Sequence, residues 1–284
     1  MSSPLHAYLL QKYSQAKTCH PAEGRRKWRL RVLQHFWGSP PNVSQYAGAN
    51  DNVADRPCND RAEFFTDSDP FDVCSSRPEL GLLIRTDFTD DNAWQTFVAA
   101  LQNSETTFSV APDQPDEIDQ DKPTQEQDDS DSSDDGDGNT SSIFHIVDPS
   151  PPQDRALLTN ISNLTALRLF NDVDVRPAPI PPYGTGRINP PNRLVDHHQW
   201  QEIYVGKNIW IYDAKSNVDQ CVRVVSQSGD MYGTATGDSW RARVSHICEL
   251  QVYLSEGAMK IDFGGLDRWD HNERQRNMHQ AEQS

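Results

Sequence analysis

Residues 81–103 read GLLIRTDFTDDNAWQTFVAALQN, and this stretch decides the fold. Leu82 opens a short apolar run that ends at Phe88, which is the length of a buried strand. Thr89 and two aspartates follow, and their side-chain oxygens suit the free amides and the positive dipole of a helix start. Apolar residues then recur at helical spacing and give the helix one apolar face: Trp94, Phe97, Val98 and Leu101. The stretch therefore predicts a strand followed by a helix that packs on a sheet.

The residues Leu83 to Asp91, together with Trp94, carry a resemblance to a known family. They read LIRTDFTDD, which resembles the opening motif L-x-R-T-D-F-S-D-D, followed by a helical Trp, of a family of small uncharacterised domains in bacteria and filamentous fungi. Cys221–Val225 and Met259–Phe263 are similar to two later segments of that family. The resemblance spans roughly residues 80–268, with a long insertion that compact members lack. It implies a shared fold, and no activity comes with the family.

The composition indicates a folded part that is interrupted by an acidic insertion. Only 35% of the 284 residues are hydrophobic and 19 are prolines, so we expect a good fraction of the chain to be disordered. Residues 113–137 carry −11 of the net charge of −16. Residues 104–142 hold too little apolar area to offset the entropy of ordering, so they are predicted to be a disordered acidic insertion. The remaining chain is mildly acidic, which disfavours binding to nucleic acid or to an anionic membrane.

The cysteines and the apolar runs favour a cytoplasmic protein. The five cysteines are odd in number and form no C-x-x-C pair, so neither a disulfide framework nor a zinc ribbon is predicted. The apolar run near the N-terminus, residues 7–10, is too short for a secretion signal. No stretch approaches the roughly 20 apolar residues of a membrane helix. We therefore expect no membrane segment and a cytoplasmic location, with the nucleus as the alternative.

Residues 1–78 are interpreted as an N-terminal basic arm followed by an irregular strap rich in Pro, Asn, Asp and Ser. A helix predicted at residues 23–37 is amphipathic and carries five basic residues: Arg25, Arg26, Lys27, Arg29 and Arg31. One interpretation is a nuclear-import patch or a nucleic-acid contact. The favoured interpretation is a surface helix whose aromatic side chains pack on the domain while its arginines stay in water. We also expect the acidic insertion to shield these basic residues loosely.

The rest of the chain predicts a sheet of mixed direction. Strands are predicted at residues 143–147, 208–212, 221–225 and 259–263. The second and third should pair antiparallel as a hairpin, because only residues 213–220 separate them. The predicted fold class is α/β, with α+β as the alternative: one mixed-sheet domain with helices over residues 79–268, followed by a flexible tail at 269–284.

The helices and loops between these strands follow from weaker patterns. Helices are predicted at residues 152–161, 194–204 and 238–254, although the last part of the third also alternates as a strand would. Residues 164–175 fit a helix or a strand equally well. Residues 176–191 are predicted to be an extended, proline-rich loop with polyproline character.

Arg85, Asp87, Asp90 and Asp91 are the candidate site residues, because they lie at the C-terminal end of the predicted strand, where open α/β sheets bind their ligands. The three carboxylates suit a metal ion or an acid and a base. The alternative, which we favour, is structural. Asp90 and Asp91 then cap the helix, and Asp87 accepts backbone amides or pairs with Arg85.

No other pattern predicts a cofactor or a metal site. His197 and His198 are adjacent, and adjacent side chains of a helix point about 100° apart and rarely share one ion. The segment 184–186 lacks the third glycine of a dinucleotide loop. The glycine-bearing segment 233–237 is followed by Asp238, which would repel a phosphate. We therefore predict neither a cofactor nor a metal.

Two functions follow from these observations. The favoured one is a non-catalytic binding or regulatory protein, because no catalytic constellation stands out. Its acidic insertion would be a tether or the contact for an unknown protein partner. The alternative is a small accessory enzyme of fungal metabolism, hydrolase-like, with Arg85, Asp87, Asp90 and Asp91 as its site at the edge of the sheet.

Overall fold

The computed structural model of the chain describes residues 4–38, 62–75, 80–109, 142–227, 232, 237–259, 261 and 270–283. The strands are β1 (Gly81–Arg85), β2 (Phe144–Val147), β3 (Asp172–Pro177), β4 (Trp200–Val205), β5 (Ile209–Tyr212), β6 (Cys221–Ser226) and β7 (Asp238–Arg243). The helices are α1 (Pro4–Cys19), α2 (Arg25–Gly38), α3 (Glu63–Thr66), α4 (Asp91–Ser109), α5 (Pro152–Leu158), α6 (Asn163–Phe170), α7 (Ser216–Asp219), α8 (Ile247–Ser255) and α9 (His271–Gln283). Short 3-10 helices lie at Asp72–Ser75 and Val244–His246.

Five strands form one mixed sheet in the order β2-β1-β5-β6-β7. The strands β2, β1 and β5 are parallel, whereas β6 and β7 continue the sheet antiparallel. The strands β3 and β4 pair antiparallel in a separate two-stranded sheet. The mixed sheet with its helices confirms the predicted α/β class. The strand predicted at 143–147, the helix at 152–161 and the hairpin of β5 and β6 are also confirmed.

The predicted unit of β1 and α4 is confirmed, and α4 covers one face of the sheet. Trp94, Phe97 and Leu101 of α4 are at most 2% exposed and pack in one cluster with Leu83 of β1. The rings of Trp94 and Phe97 meet the ring of Tyr212 at centroid distances of 4.8 and 5.0 Å. The helix α8 joins the same cluster. The apolar helix face predicted from residues 81–103 is therefore the face that packs on the sheet.

The N-terminal helices share a hydrophobic core with the other face of the sheet, and the aromatic side chains of α2 pack there as expected. Leu5 of α1 and Phe36 of α2 are at most 1% exposed and lie in the same cluster as Leu82 and Ile84 of β1. The helix α6 and the strands β3 and β4 contribute to this cluster as well. The physical reason is that α1 and α2 each carry an apolar face that is stable only when it is covered.

Three of the four arginines of α2 are buried, which corrects the expectation that they stay in water. Arg25, Arg26 and Arg29 are each at most 9% exposed. The Arg26 Nη1 atom lies 2.8 Å from Asp69 Oδ1, and the Arg25 Nη2 atom lies 2.9 Å from Asp72 Oδ1. Both aspartates belong to the predicted strap, so ion pairs tie that segment to α2. Buried charges are stable when they are paired. Four of the five basic residues expected to meet the acidic insertion are paired within the fold: Arg25, Arg26, Arg29 and Arg31.

One predicted helix is wrong and another is wrong in part, because strand pairing decides their conformation. The helix predicted at 194–204 is wrong: residues 194–199 form turns and isolated bridges, and β4 follows. The φ angles of His198 and Gln199, 55° and 77°, do not fit a helix. The helix predicted at 238–254 is confirmed only for α8. Its first part forms β7, which pairs with β6 along its whole length. Residues 164–175, which fitted either state, divide into the end of α6 and the start of β3.

The acidic insertion begins later than predicted. The helix α4 continues to Ser109, and the Glu105 carboxylate accepts hydrogen bonds from the amides of Ile143 (2.9 Å) and Phe144 (3.0 Å). These bonds fix the last turns of α4 against the start of β2. Residues 110–141, which hold most of the predicted insertion, lie outside the described residues.

The predicted flexible tail contains α9, which docks at the start of α6. The Glu273 carboxylate accepts a hydrogen bond from the amide of Asn163 (2.6 Å), and the Asn277 side chain accepts one from the amide of Leu164 (3.1 Å). Residues four apart lie on one helix face. Because this buried face is polar, the sequence looks like that of a solvent-exposed segment. Of the strand predicted at 259–263, the described residues Met259 and Ile261 lie in no strand.

Two further expectations concern the membrane and the cysteines. Within the described ranges, no helix combines the length and the apolar character that crossing a membrane requires. The four described cysteines, at positions 19, 74, 221 and 248, are free thiols. Cys58 lies outside the described residues.

Candidate functional site

The carboxyl ends of the parallel strands β2, β1 and β5 meet at one edge of the sheet, which we call the carboxyl edge. An aspartate follows each strand: Asp87 comes two residues after β1, Asp148 directly after β2 and Asp213 directly after β5. The chain leaves β1 towards β2 and leaves β5 towards β6, in opposite directions along the sheet. Ligands of open α/β sheets bind at such a reversal. The carboxyl edge is therefore the first candidate site.

Arg85, the last residue of β1, lies at the centre of the carboxyl edge and is 2% exposed. Its Nε atom donates a hydrogen bond to the backbone oxygen of Asp87 (2.9 Å). Its Nη1 atom lies 3.5 Å from Asp148 Oδ2, and its Nη2 atom donates to Asp91 Oδ1. The guanidinium is thus paired with acids from two elements, the helix α4 and the loop after β2.

Aromatic rings cover the Arg85 guanidinium. It lies 5.0 Å from the centre of the Phe88 ring and 5.2 Å from that of Trp94. The Trp94 Nε1 atom also donates a hydrogen bond to Asp148 Oδ2 (2.8 Å). On the Phe88 ring, the Arg155 guanidinium makes a second contact at 5.2 Å. These rings cover the Arg85 guanidinium and add cation–π attraction, whereas the Asp91 side chain remains in contact with water.

Asp87 links the loops that follow β1 and β5. Its Oδ1 atom accepts hydrogen bonds from the Thr89 amide (3.0 Å), the Thr89 hydroxyl (2.5 Å) and the Asn217 side chain (2.9 Å). Asn217 in turn accepts a hydrogen bond from the Tyr212 hydroxyl (2.8 Å). Burial raises the pKa of Asp87, but the hydrogen bonds from Thr89 and Asn217 outweigh it and hold the pKa below its ordinary value. The carboxylate is therefore stabilised in its charged form.

Asp90 and Asp91 have separate roles at the start of α4. Asp90 Oδ1 accepts a hydrogen bond from the Ala93 amide (2.9 Å), which is the contact of a helix cap. Asp91 pairs with Arg85, and the hydrogen bond from Arg85 lowers the pKa of Asp91. The four candidate residues therefore lie together at the carboxyl edge. Arg85 meets the side chain of Asp91, the backbone of Asp87 and the side chain of Asp148.

Asp148 and Asp213 are residues of the carboxyl edge that the sequence analysis missed. The Asp213 carboxylate accepts two hydrogen bonds from Arg241 Nη1 (2.8 and 3.0 Å) and lies 3.1 Å from Arg223 Nε. Burial raises the pKa of Asp213, but the two guanidinium groups outweigh it and lower the pKa. The sequence held part of the signal, since each aspartate directly follows a predicted strand. That both strands lie beside β1 follows only from the order of the strands in the sheet.

A second polar cluster lies inside the layer formed by α2, α6 and β4. The Glu202 side chain is fully buried and accepts hydrogen bonds from Trp37 Nε1 (3.0 Å) and Arg168 Nη2 (3.2 Å). The Tyr204 hydroxyl also donates to Glu202 and accepts a hydrogen bond from Arg168 Nε (2.8 Å). Burial and the Glu202 carboxylate raise the pKa of Tyr204, so the hydroxyl stays protonated. The cluster fixes β4 on α2 and α6.

The histidine pair packs as aromatic side chains do. The rings of His197 and His198 meet edge to face, with centroids 4.7 Å apart, and His197 also contacts Trp37 at 5.1 Å. Burial and the neighbouring His198 lower the pKa of His197. Among the residues that the structure describes, no group of three or more His, Cys, Asp or Glu side chains is arranged to hold a metal ion.

A small cleft lies on the α2 side of the molecule. It has a volume of about 60 Å³ and is lined by the start of α2, the segment 69–71 and Arg168 with its neighbour Leu169. Small-molecule sites usually enclose ~300–1,000 Å³. The cleft therefore suits a few water molecules rather than a substrate.

No protein-family model, curated protein or solved structure matches this chain. The resemblance of residues 83–91 to the bacterial and fungal domain family therefore stays a prediction.

Proposed function

We propose that the chain is a non-catalytic binding or regulatory protein. One observation carries the proposal: the candidate carboxylates of the carboxyl edge are engaged in structural contacts. Asp87 holds Thr89 and Asn217, Asp90 caps α4, and Asp91 pairs with Arg85. A general acid or base works best with a pKa near the working pH. The pKa values of Asp87 and Asp91 are lowered, away from that range.

The charge distribution supports a protein as the partner. Ion pairs with aspartates inside the fold hold Arg25, Arg26 and Arg29, so these residues add little positive charge to the surface. The net charge of −16 further disfavours phosphate backbones and anionic lipids. We place the protein in the cytoplasm, with the nucleus as the alternative, and expect a protein partner there rather than nucleic acid or a membrane.

The alternative function is a small accessory enzyme of fungal metabolism, hydrolase-like, and one observation favours it. Asp87, Asp148 and Asp213 follow the three parallel strands at the edge where α/β sheets bind ligands. An enzyme at this edge would need a carboxylate that is poised for proton transfer. Such an enzyme would therefore hold at least one of these aspartates in surroundings that destabilise the fold.

The stability of charge-neutralising variants distinguishes the two functions. We would measure urea denaturation of Asp87→Asn, Asp91→Asn and Asp213→Asn, with Asp154→Asn on the exposed surface of α5 as the matched control. If the carboxylates are structural, all three substitutions destabilise the protein, because charge-assisted hydrogen bonds are lost. For the more buried Asp213 the expected loss is about 1–3 kcal/mol.

Neutralising a catalytic carboxylate should instead raise the free energy of unfolding. Groups that serve catalysis are often held in strained or repulsive surroundings, so that replacing them stabilises the fold. A clear gain of stability in any of the three variants, relative to Asp154→Asn, would therefore favour the enzyme over the binding protein.

A further inference from the structure

The segment Arg176–Tyr183, which reads RPAPIPPY, begins with the last two residues of β3 and has the composition of a polyproline II helix. Four of its eight residues are prolines. Proline has no backbone N–H, so such a run can form neither a helix nor an inner strand. A polyproline II helix needs no internal hydrogen bonds and suits this composition.

On two of its three edges, the exposure of the segment has the period of three that a polyproline II helix produces. Such a helix has three residues per turn, so residues three apart lie on one edge. Ala178 and Pro181 are half-buried and form the edge that faces the protein. Pro177, Ile180 and Tyr183 are all exposed, Ile180 by 87% and Tyr183 completely. We call these last three residues the outer edge, and they present apolar groups about 9 Å apart.

The remaining edge of the segment carries a positive charge. It holds Arg176, Pro179 and Pro182, of which Arg176 and Pro182 are exposed. The Arg176 Nε atom lies 4.0 Å from Asp174 Oδ2, and both side chains are in contact with water. Exposed pairs of this kind contribute little, so Arg176 can exchange Asp174 for a carboxylate of a partner.

Both ends of the segment are anchored to the fold. At its start, the Ala178 amide donates a hydrogen bond to the Gln199 oxygen (2.8 Å) and prolongs the pairing of β3 with β4. At its end, the Thr185 amide donates to the Pro182 oxygen (3.0 Å) in a turn where Gly184 has a φ of 83°. A ligand that is held in its bound conformation loses less entropy on binding.

We propose that this segment is the docking site for a partner protein whose aromatic-lined groove reads a polyproline II helix. Pro179 to Pro182 supply the P-x-x-P spacing that such grooves recognise. Ile180 and Tyr183 of the outer edge fill aromatic pockets, and an acidic side chain beside the groove pairs with Arg176. The proposal rests on the binding role proposed above and names the class of partner.

Binding of the full-length chain to purified proline-recognition domains tests this proposal. The chain would be immobilised and exposed to a panel of SH3, WW and EVH1 domains at physiological salt, with affinity read by biolayer interferometry. We expect micromolar binding to at least one of them. Ile180→Ser and Tyr183→Ala should each weaken that binding by about tenfold or more, as loss of an interface anchor does. Their thermal unfolding midpoints should not change, because both side chains are exposed.

Matched controls and contrary outcomes make the test decisive. Val218→Ser and Tyr253→Ala change the same kinds of exposed side chain on α7 and α8 and should leave binding intact. No binding by any domain of the panel would overturn the proposal, and so would binding that survives both substitutions. Self-association of the chain that the same substitutions abolish would assign the segment to a second copy instead and also overturn it. The stability series at the carboxyl edge tests the first proposal alone, so the two can fail separately.

Discussion

At the scale of single residues, Arg85 explains two of the aspartates at the carboxyl edge, Asp91 and Asp148. A guanidinium that is 2% exposed has lost most of its water, and an unpaired charge in that position would be costly. Asp91 and Asp148 neutralise it from two elements, and the rings of Phe88 and Trp94 cover it. Of the aspartates that resemble an active site in the sequence, Asp91 is therefore a counter-ion and Asp90 a helix cap, whereas the Asp87 carboxylate accepts hydrogen bonds from neighbouring loops.

Trp94→Ala should lower the free energy of unfolding by about 3–5 kcal/mol, as the loss of a large core side chain does. Trp94 is 2% exposed, contacts Tyr212 and donates a hydrogen bond to Asp148. Urea denaturation measures the effect. Trp94→Phe keeps most of the packing and loses the hydrogen bond, so it should cost less. A loss below about 1 kcal/mol in Trp94→Ala would show that this side chain is not a core residue.

The stability of the protein should fall in acid, in part through Asp87 and Asp91. Their pKa values are lowered in the fold. Their contribution is therefore complete above the unfolded value of about 3.9 and is lost as the pH falls through the folded value. Urea midpoints measured from about pH 2 to pH 6 should show this loss below about pH 4. Asp87→Asn should make the urea midpoint depend less steeply on pH, and Asp154→Asn should not. If the midpoint of Asp87→Asn depends on pH as steeply as that of the parent protein, the hydrogen bonds to Asp87 do not stabilise its charged form in the fold.

At the scale of elements, α9 shows how a polar helix becomes part of the fold. Its buried residues are Glu273, Asn277 and Ala281. Glu273 also lies 3.5 Å from Arg223 Nη1 of β6, so that α9 is tied to the large sheet. The first amides of a helix need acceptors from outside it. Here a segment distant in sequence supplies them to α6.

Asn277→Ala should lower the free energy of unfolding by about 1–3 kcal/mol, because the buried amide of Leu164 loses its acceptor. Hydrogen exchange of that amide should become faster in the variant. Gln275→Ala, on the exposed side of the same helix, is the control and should change neither quantity. Equal protection of Leu164 in both variants would contradict the docking of α9 at this place.

The elements that the sequence predicts correctly are those that local pattern decides. The strand β1, the helix α4 and the hairpin of β5 and β6 have apolar periodicity that agrees with their burial. The strands β4 and β7 were missed because pairing with β3 and β6 overrides a helical pattern. The helix α9 was missed because its buried face is polar. At the site, Arg85, Asp87, Asp90 and Asp91 share one motif, whereas Asp148 and Asp213 join them only through the order of the strands, which the sequence does not reveal.

At the scale of the whole molecule, residues 4–38 and the large sheet stabilise each other. Leu33 of α2 is 2% exposed and belongs to the cluster that also contains Ile84 of β1 and Ile211 of β5. The buried ion pairs of Arg25 and Arg26 join the segment 62–75 to the same unit. We therefore expect the described parts of the chain to unfold together rather than as an arm and a separate domain.

Leu33→Ala should lower the free energy of unfolding by about 2–5 kcal/mol in a single transition. Tryptophan fluorescence and far-ultraviolet circular dichroism should report the same midpoint, because one core is lost. Leu10→Ala is the control, since Leu10 of α1 is 60% exposed. Two separate transitions, with only the first one shifted by Leu33→Ala, would mean that the N-terminal helices form an independent unit.

The structural role of the carboxyl-edge aspartates is tested most directly by NMR titration of their carboxyl carbons in the full-length chain. Asp87, Asp91 and Asp213 should all titrate below the ordinary value of about 3.9, because hydrogen bonds and guanidinium groups stabilise their charged forms. A carboxyl among these three that titrates near pH ~6–7, the range of a working acid or base, would contradict the binding role and identify a catalytic group.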